Sequence, residues 1–252
     1  MPLGRMGMMA RKSSGVSFAP SDIANLVIWL DATDGSTVLN ASDTAASNGE
    51  NVKTWQDKSG NGYDLVQTTV NQQPIYRTAG SASEFSTAAI EFDDMVNATH
   101  LLNTTDTIQT TGCTHFIVFS DGTAGGSSGY IFSGGTANGH LFAENGDVGP
   151  GVSINLFQFA GAVVNQTTYT YNTKYYSTLT MNGASSKHWQ NGSLIGTANA
   201  GTGTATGLCI GALYTGAGPS DLEVTEFLTY SSIGDTDRQA VESYLAGKYG
   251  IS

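Results

Sequence analysis

Short runs of β-branched and aromatic residues recur along the chain, and each is soon cut off by glycine, asparagine or aspartate. That punctuation excludes a helical bundle and suits strands of about 4–8 residues joined by tight turns. Segments 27–31, 52–55, 89–92, 115–120, 130–133, 141–144, 152–159, 176–182, 187–190, 208–211 and 223–230 all read as strands. Within one of them Phe116, Val118 and Ser120 oppose Ile117 and Phe119, the two-residue period of a strand. Asn182-Gly183 and Asn191-Gly192 signal tight turns, because both residue types tolerate positive φ. So many short strands predict an all-β, two-sheet antiparallel jelly-roll sandwich.

One helix is expected, after the last strand. Gly234-Asp235-Thr236-Asp237 places acids in a first turn, where the helix dipole favours them. Val241, Tyr244, Leu245 and Tyr249 share one stripe at helical spacing. Lys248 sits in the last turn and Gly250 just beyond it. This C-terminal helix should lie against the sandwich as a lid. Residues 18–252 read as one domain without internal repeats, and residues 1–17 as an extended N-terminal arm. Met6, Met8 and Met9 would give that arm adaptable apolar contacts.

Charge narrows the partners. Charged residues make up 12 % of the 252-residue chain, about half the usual fraction of roughly 25 %. Ten basic residues against a net charge of −11 argue against nucleic acid, which requires clustered Lys and Arg at phosphates. An anionic membrane surface is disfavoured for the same reason. No apolar run approaches the roughly 20 residues of a membrane span. The first residues lack the apolar centre of a secretory signal. Cys113 and Cys209 are too few for a disulfide framework and read as two buried free thiols. Asn40, Asn97, Asn103, Asn165 and Asn191 head glycosylation-type triplets that an Asn/Ser/Thr-rich chain produces by chance.

Three separated segments carry a family resemblance. The first is Trp29-Leu30-Asp31, followed by Trp55-Gln56-Asp57-Lys58-Ser59-Gly60-Asn61-Gly62. The second is Lys187-His188-Trp189-Gln190-Asn191-Gly192, with Leu208-Cys209-Ile210-Gly211 after it. The third is Glu223–Tyr230 and the helix that follows. In this order they resemble the concanavalin A-like lectin/glucanase superfamily in its laminin-G-like form, across about residues 20–252. The resemblance implies a lectin-like jelly roll of the kind found in bacteriophage tail, fibre and capsid-decoration proteins and in adhesins. It is specific for fold and weak for function, since the fold carries lectins, hydrolases and inert modules alike. Trp29 and Trp55 would anchor its core.

Glucanases of that superfamily pair carboxylates on one strand in a Glu-x-Asp-x-x-Glu pattern. Glu91 and Asp93 would share a strand face about 7 Å apart, but Val96 stands where the second Glu would fall. Glu223 and Glu226 are three apart on a strand and should face opposite sides unless a bulge intervenes. Glu226 reads as a structural acceptor beneath the helix. No residue is assigned a catalytic role. His100, His115, His140 and His188 lack zinc-type spacing, so no metal site is assigned. Calcium, which many laminin-G-like domains carry, would draw on Asp31, Asp57 and Asp93, but each of these reads better as a turn acid, so no cofactor is assigned. For glycan binding the loop candidates are Asn138, His140 and Tyr214.

The expectation is a non-catalytic virion protein, outside the cell on the particle. It would dock to other virion proteins through its arm, form a homo-oligomer and meet a host surface glycan. The alternatives are a free carbohydrate-binding lectin and, less favoured, a glycoside hydrolase.

Overall fold

The computed structural model describes residues 18–82, 84–93, 98–121, 129–135, 139–145, 153–159, 163–170 and 172–252. The expected arm, residues 1–17, lies outside them. Two antiparallel sheets stack face to face. The first sheet runs in the order β15 (Ser193–Ala198), β14 (Ser186–Gln190), β13 (Lys174–Thr180), β8 (Thr114–Asp121), β17 (Leu222–Tyr230), β6 (Ala89–Phe92), β5 (Ile75–Arg77). β1 (Leu26–Asp31) also pairs with β17. The second runs β12 (Val163–Thr170), β11 (Ser153–Phe159), β10 (Leu141–Asn145), β9 (Tyr130–Ser133), β16 (Leu208–Ile210), β7 (Leu101–Asn103), β4 (Leu65–Val66), β3 (Thr54–Trp55), β2 (Val38–Leu39). The helix α1 (Asp235–Tyr249) covers the outer face of the first sheet. Among the described residues no helix is long and apolar enough to cross a membrane.

β17 is central, and all nine of its residues are buried. β8 pairs along one side of it; on the other side β6 takes residues 222–224 and β1 takes the rest. The register against β8 slips between Val224 and Glu226. An extra residue in one strand reverses which face its side chains take. Leu222, Val224 and Phe227 therefore enter the inter-sheet core, whereas Leu228 and Tyr230 join a second apolar layer under α1. The inter-sheet core is aromatic: Phe132 meets Phe227 at 5.3 Å and 75°, and Phe119 meets Phe142 at 5.9 Å and 89°. Edge-on approach sets the positive rim of one ring against the negative face of the next.

The two tryptophans part company. Trp55 is fully buried between the sheets, as expected, but Trp29 packs in the layer under the helix. Several strands were not anticipated. β12 and β15 carry too many polar or small residues to stand out, and β2, β4, β5 and β7 are only two or three residues long. Asn191-Gly192, with φ of 50° and 75°, closes a two-residue hairpin between Gln190 and Ser193. Asn182-Gly183 is wider and opens a 3-10 turn, Gly183–Ser185. The helix ends on Gly250 at φ 64°, whose N–H bonds Ala246 O. On its inner side Arg238 and Glu242 form a buried ion pair at 2.6 Å, and the guanidinium lies 4.2 Å over the Trp189 ring.

Two glycines allow opposite tests of this packing. Gly207 has φ 74°, and a Cβ there would lie 2.0 Å from Asn103 O. Gly207→Ala should destabilise by more than about 1 kcal/mol. Gly247 sits in α1 with open space around it, so Gly247→Ala should stabilise by about 0.4–1 kcal/mol. Urea unfolding of both variants checks the pair.

Candidate functional site

The acids that the sequence offers for chemistry are held by structural partners. Glu226 is fully buried. It accepts from Trp29 Nε1 at 2.7 Å, Tyr244 Oη at 3.0 Å, Tyr249 Oη at 2.6 Å and Lys248 Nζ at 2.8 Å. It is thus the acceptor beneath the helix that its position suggested. Lys248 also reaches Asp31 at 2.9 Å, and Asp31 takes Thr33 Oγ1 at 2.6 Å and Lys58 at 3.1 Å. Burial pushes the Asp31 carboxyl up, but Lys248, Thr33 and Lys58 outweigh it and hold the group below its ordinary value. Glu226 lies deeper. There burial prevails over Lys248, the Asp31 charge adds to it, and the carboxyl is raised.

Asp57 Oδ1 accepts from the N–H of Trp29 at 2.9 Å and of Ser59 at 2.8 Å, while Oδ2 accepts from Ser59 Oγ and Tyr63 N. Asp57 thereby pins the Gly-rich turn 59–62 to β1. Asp31 and Asp57 thus direct their oxygens at protein donors, and Asp93 follows β6 with its backbone bonded to Thr99. Glu91 is clamped by both Nε and Nη2 of Arg77 across β5 and β6. The β17 bulge sets Glu223 and Glu226 on the same outer face, the exception that the spacing argument had allowed for. They still serve separate ends: Glu223 accepts from Glu84 N at 3.2 Å, and Glu226 holds the helix.

The loop candidates divide. Asn138 lies outside the described residues. Tyr214 is half-buried on a compact turn closed by Leu213 N→Ala217 O and Gly216 N→Leu213 O. His140 corrects the expectation of a rim ligand, being fully enclosed. It immediately precedes β10 in the second sheet and turns inward to meet β8 of the first.

There it joins two residues that their spacing did not connect to it. Cys113 and His115, two apart, share the inward face of the segment that leads into β8. Cys113 Sγ lies 3.4 Å from His115 Nε2 and 3.4 Å from His140 Nδ1, and the two ring nitrogens are 2.9 Å apart. All three residues are fully buried, with Phe132 and Phe227 against the His115 ring. Burial holds the imidazoles neutral: His140 is pushed down to about 4, and His115 is pushed well below its ordinary value, with His140 adding to the effect. It pushes the Cys113 thiol up to about 12. The one sequence signal was a Cys-x-His alternation in phase with Ile117 and Phe119; His140, 25 residues further along, gave none.

Lys248→Met would leave Glu226 and Asp31 buried without the cation they share. Stranding a buried partner costs about 3–5 kcal/mol, so the variant should unfold that much more easily at neutral pH. A raised carboxyl binds its proton in the folded state above the unfolded value of about 4.3, so stability falls as pH rises through that window. The deficit against wild type should therefore narrow as pH falls from 7 towards 4, as urea titrations at several pH values will check.

No family model matches the sequence, and no curated protein matches it significantly. Solved structures do share its architecture. An arabinofuranosidase complexed with arabinofuranosyl-α-1,2-xylobiose superposes with TM-score 0.67 at 13 % identity, over 93 % of this chain and 66 % of its own. Domain 4 of AbnA, a GH43 extracellular arabinanase from Geobacillus stearothermophilus in complex with arabinotriose, gives 0.57 at 8 %, over 86 % of this chain and 98 % of its own. The receptor binding domain of botulinum neurotoxin type G gives 0.58 at 11 %, over 88 % of this chain and 52 % of its own. At such identities the likeness establishes the fold alone: the chain is a two-sheet antiparallel β-sandwich with a C-terminal helix.

Proposed function

We propose that this chain is a non-catalytic structural or adhesion module, a component of a bacteriophage particle that presents a lectin-like sandwich outward. The observation that carries the reading is the engagement of its acids. Glu91, Asp31 and Glu226 are each tied to a cation or a ring of donors that holds the fold together. Pairwise acid/base work on a glycosidic bond needs two carboxyls facing a shared substrate. Low charge and the laminin-G-like sequence segments support a role in assembly, with residues 1–17 docking onto neighbouring particle proteins and the particle's symmetry making the protein oligomeric.

The second reading is a free carbohydrate-binding lectin, and a structural neighbour favours it: the arabinanase domain of this fold is held with arabinotriose. On that reading Tyr214, half-exposed on its turn, is the stacking residue.

Deleting residues 1–17 separates the two. The assembly reading expects loss of particle binding and of the oligomer, with the sandwich still folded. A monomeric full chain without affinity for particles would sink it. The lectin reading expects selective binding on a glycan array that survives the deletion and weakens about tenfold, or roughly 1.4 kcal/mol, in Tyr214→Ala. Reducing-sugar release that disappears in Glu91→Gln would overturn both.

A further inference from the structure

We infer that Cys113, His115 and His140 form a buried binding site for one thiophilic d10 metal ion, Cu⁺ or Zn²⁺, between the two sheets. The three ligand atoms already surround a common point. Metal–nitrogen bonds of about 2.05 Å and metal–sulphur bonds of about 2.3 Å set tetrahedral edges of about 3.3 Å (N···N) and 3.6 Å (N···S). The observed edges are 2.9, 3.4 and 3.4 Å. An expansion of a few tenths of an ångström makes room for the ion.

The outer contacts orient the rings for this role. His140 Nε2 lies 2.9 Å from Gly203 O. A carbonyl only accepts, so Nε2 carries the proton and the Nδ1 lone pair points at Cys113 and His115. His115 Nδ1 lies 2.8 Å from Thr229 Oγ1, a hydroxyl able to accept its N–H and so free Nε2 to face inward. Metal-bound histidines commonly hold their far N–H in this way, on a carbonyl or another oxygen. Gln109 Oε1 takes the His140 backbone N–H and fixes the residue just before β10 begins.

Ligand type and charge narrow the ion. Thiolate with two imidazoles selects soft and borderline cations and is a poor set for Ca²⁺ or Mg²⁺. On binding, the Cys113 thiol proton leaves to solvent and a metal–thiolate bond takes its place. With Cu⁺ the cluster is then neutral; with Zn²⁺ it carries one net positive charge in an aromatic cage, which is costly to bury. Cu⁺ should therefore bind more tightly. A surface depression of about 350 Å³, lined by Thr107, Gln109, Thr110, Thr204, Ala205 and Thr206, lies over this end of the sandwich. Gly203, which holds His140, belongs to the same 201–207 segment, so displacing that segment opens the route in.

The test uses the full chain without a histidine tag, kept reduced. Cu⁺ and Zn²⁺ are titrated separately in competition with chromophoric chelators, and bound metal is counted by mass spectrometry. One equivalent per chain is expected, tighter for Cu⁺, with X-ray absorption showing one sulphur and two nitrogen neighbours. Cys113→Ser and His140→Gln should each weaken binding at least a hundredfold, while Cys209→Ser leaves it unchanged. Circular dichroism establishes that the variants fold; should they not, the wild-type absorption spectrum still decides. Absence of stoichiometric metal, a coordination shell without sulphur, or equal affinity in folded Cys113→Ser would each overturn the site. Tighter Zn²⁺ than Cu⁺ would overturn the charge argument.

Discussion

A central strand with two dry faces sets the terms for the rest of this molecule. β17 has neighbours on both edges, a sheet beneath it and a helix above it. A strict two-residue period would give each face every second residue of Leu222–Tyr230, and Glu226 would then point into the aromatic core with Leu222 and Val224. The slip after Val224 prevents that. It sends Phe227 inward and Glu226 outward, so the inter-sheet core stays apolar and the acid meets the helix that can neutralise it. Thr225, at the slip, bonds Ala88 O through its hydroxyl.

The polar layer above β17 follows from that placement. A carboxylate without solvent must find donors, and Glu226 finds four, three of them on Trp29, Tyr244 and Tyr249. The fourth, Lys248, also reaches Asp31 and ties β1 to the same helix. Asp57 then fastens the 59–62 turn to β1 from the other end. Acids that look like reaction chemistry when read along the chain turn out to be joints between elements. Asp31 sits on β1 beside a turn, and only the fold reveals a cation from a helix more than 200 residues later.

Much of the architecture was legible because its signals are local. Runs such as Thr114–Asp121 and Leu222–Tyr230 announce themselves by branched and aromatic content, Asn191-Gly192 by its backbone tolerance, and α1 by its stripe and its terminal glycine. What escaped depends on contacts between distant segments. β12 and β15 pair without an apolar signature, since a strand needs only one neighbour to be ordered. Trp29 looked like a core anchor because indole is large and apolar, yet its Nε1 finds an acceptor only on the outer face. His140 looked like a loop residue because glycines surround it. Those same glycines let the backbone approach: Gly134 and Gly139 lie so close to Gln109 and Ala205 that a Cβ on either would overlap them. Close packing there turns the imidazole inward to face Cys113 and His115, a meeting of two sheets that linear spacing cannot encode.

The position of β17 in the chain also has a kinetic meaning. It follows every other strand, yet the first sheet is organised about it, and β1 must wait some two hundred residues for its partner. Until that strand is made, β8 lacks one neighbour and β1 lacks the strand it pairs with, and their apolar faces stay open. Topologies dominated by such distant pairings close slowly, because chain entropy is given up before the contacts that repay it form. The sheet should therefore assemble late and nearly all at once, with the window for misassembly falling just before it does.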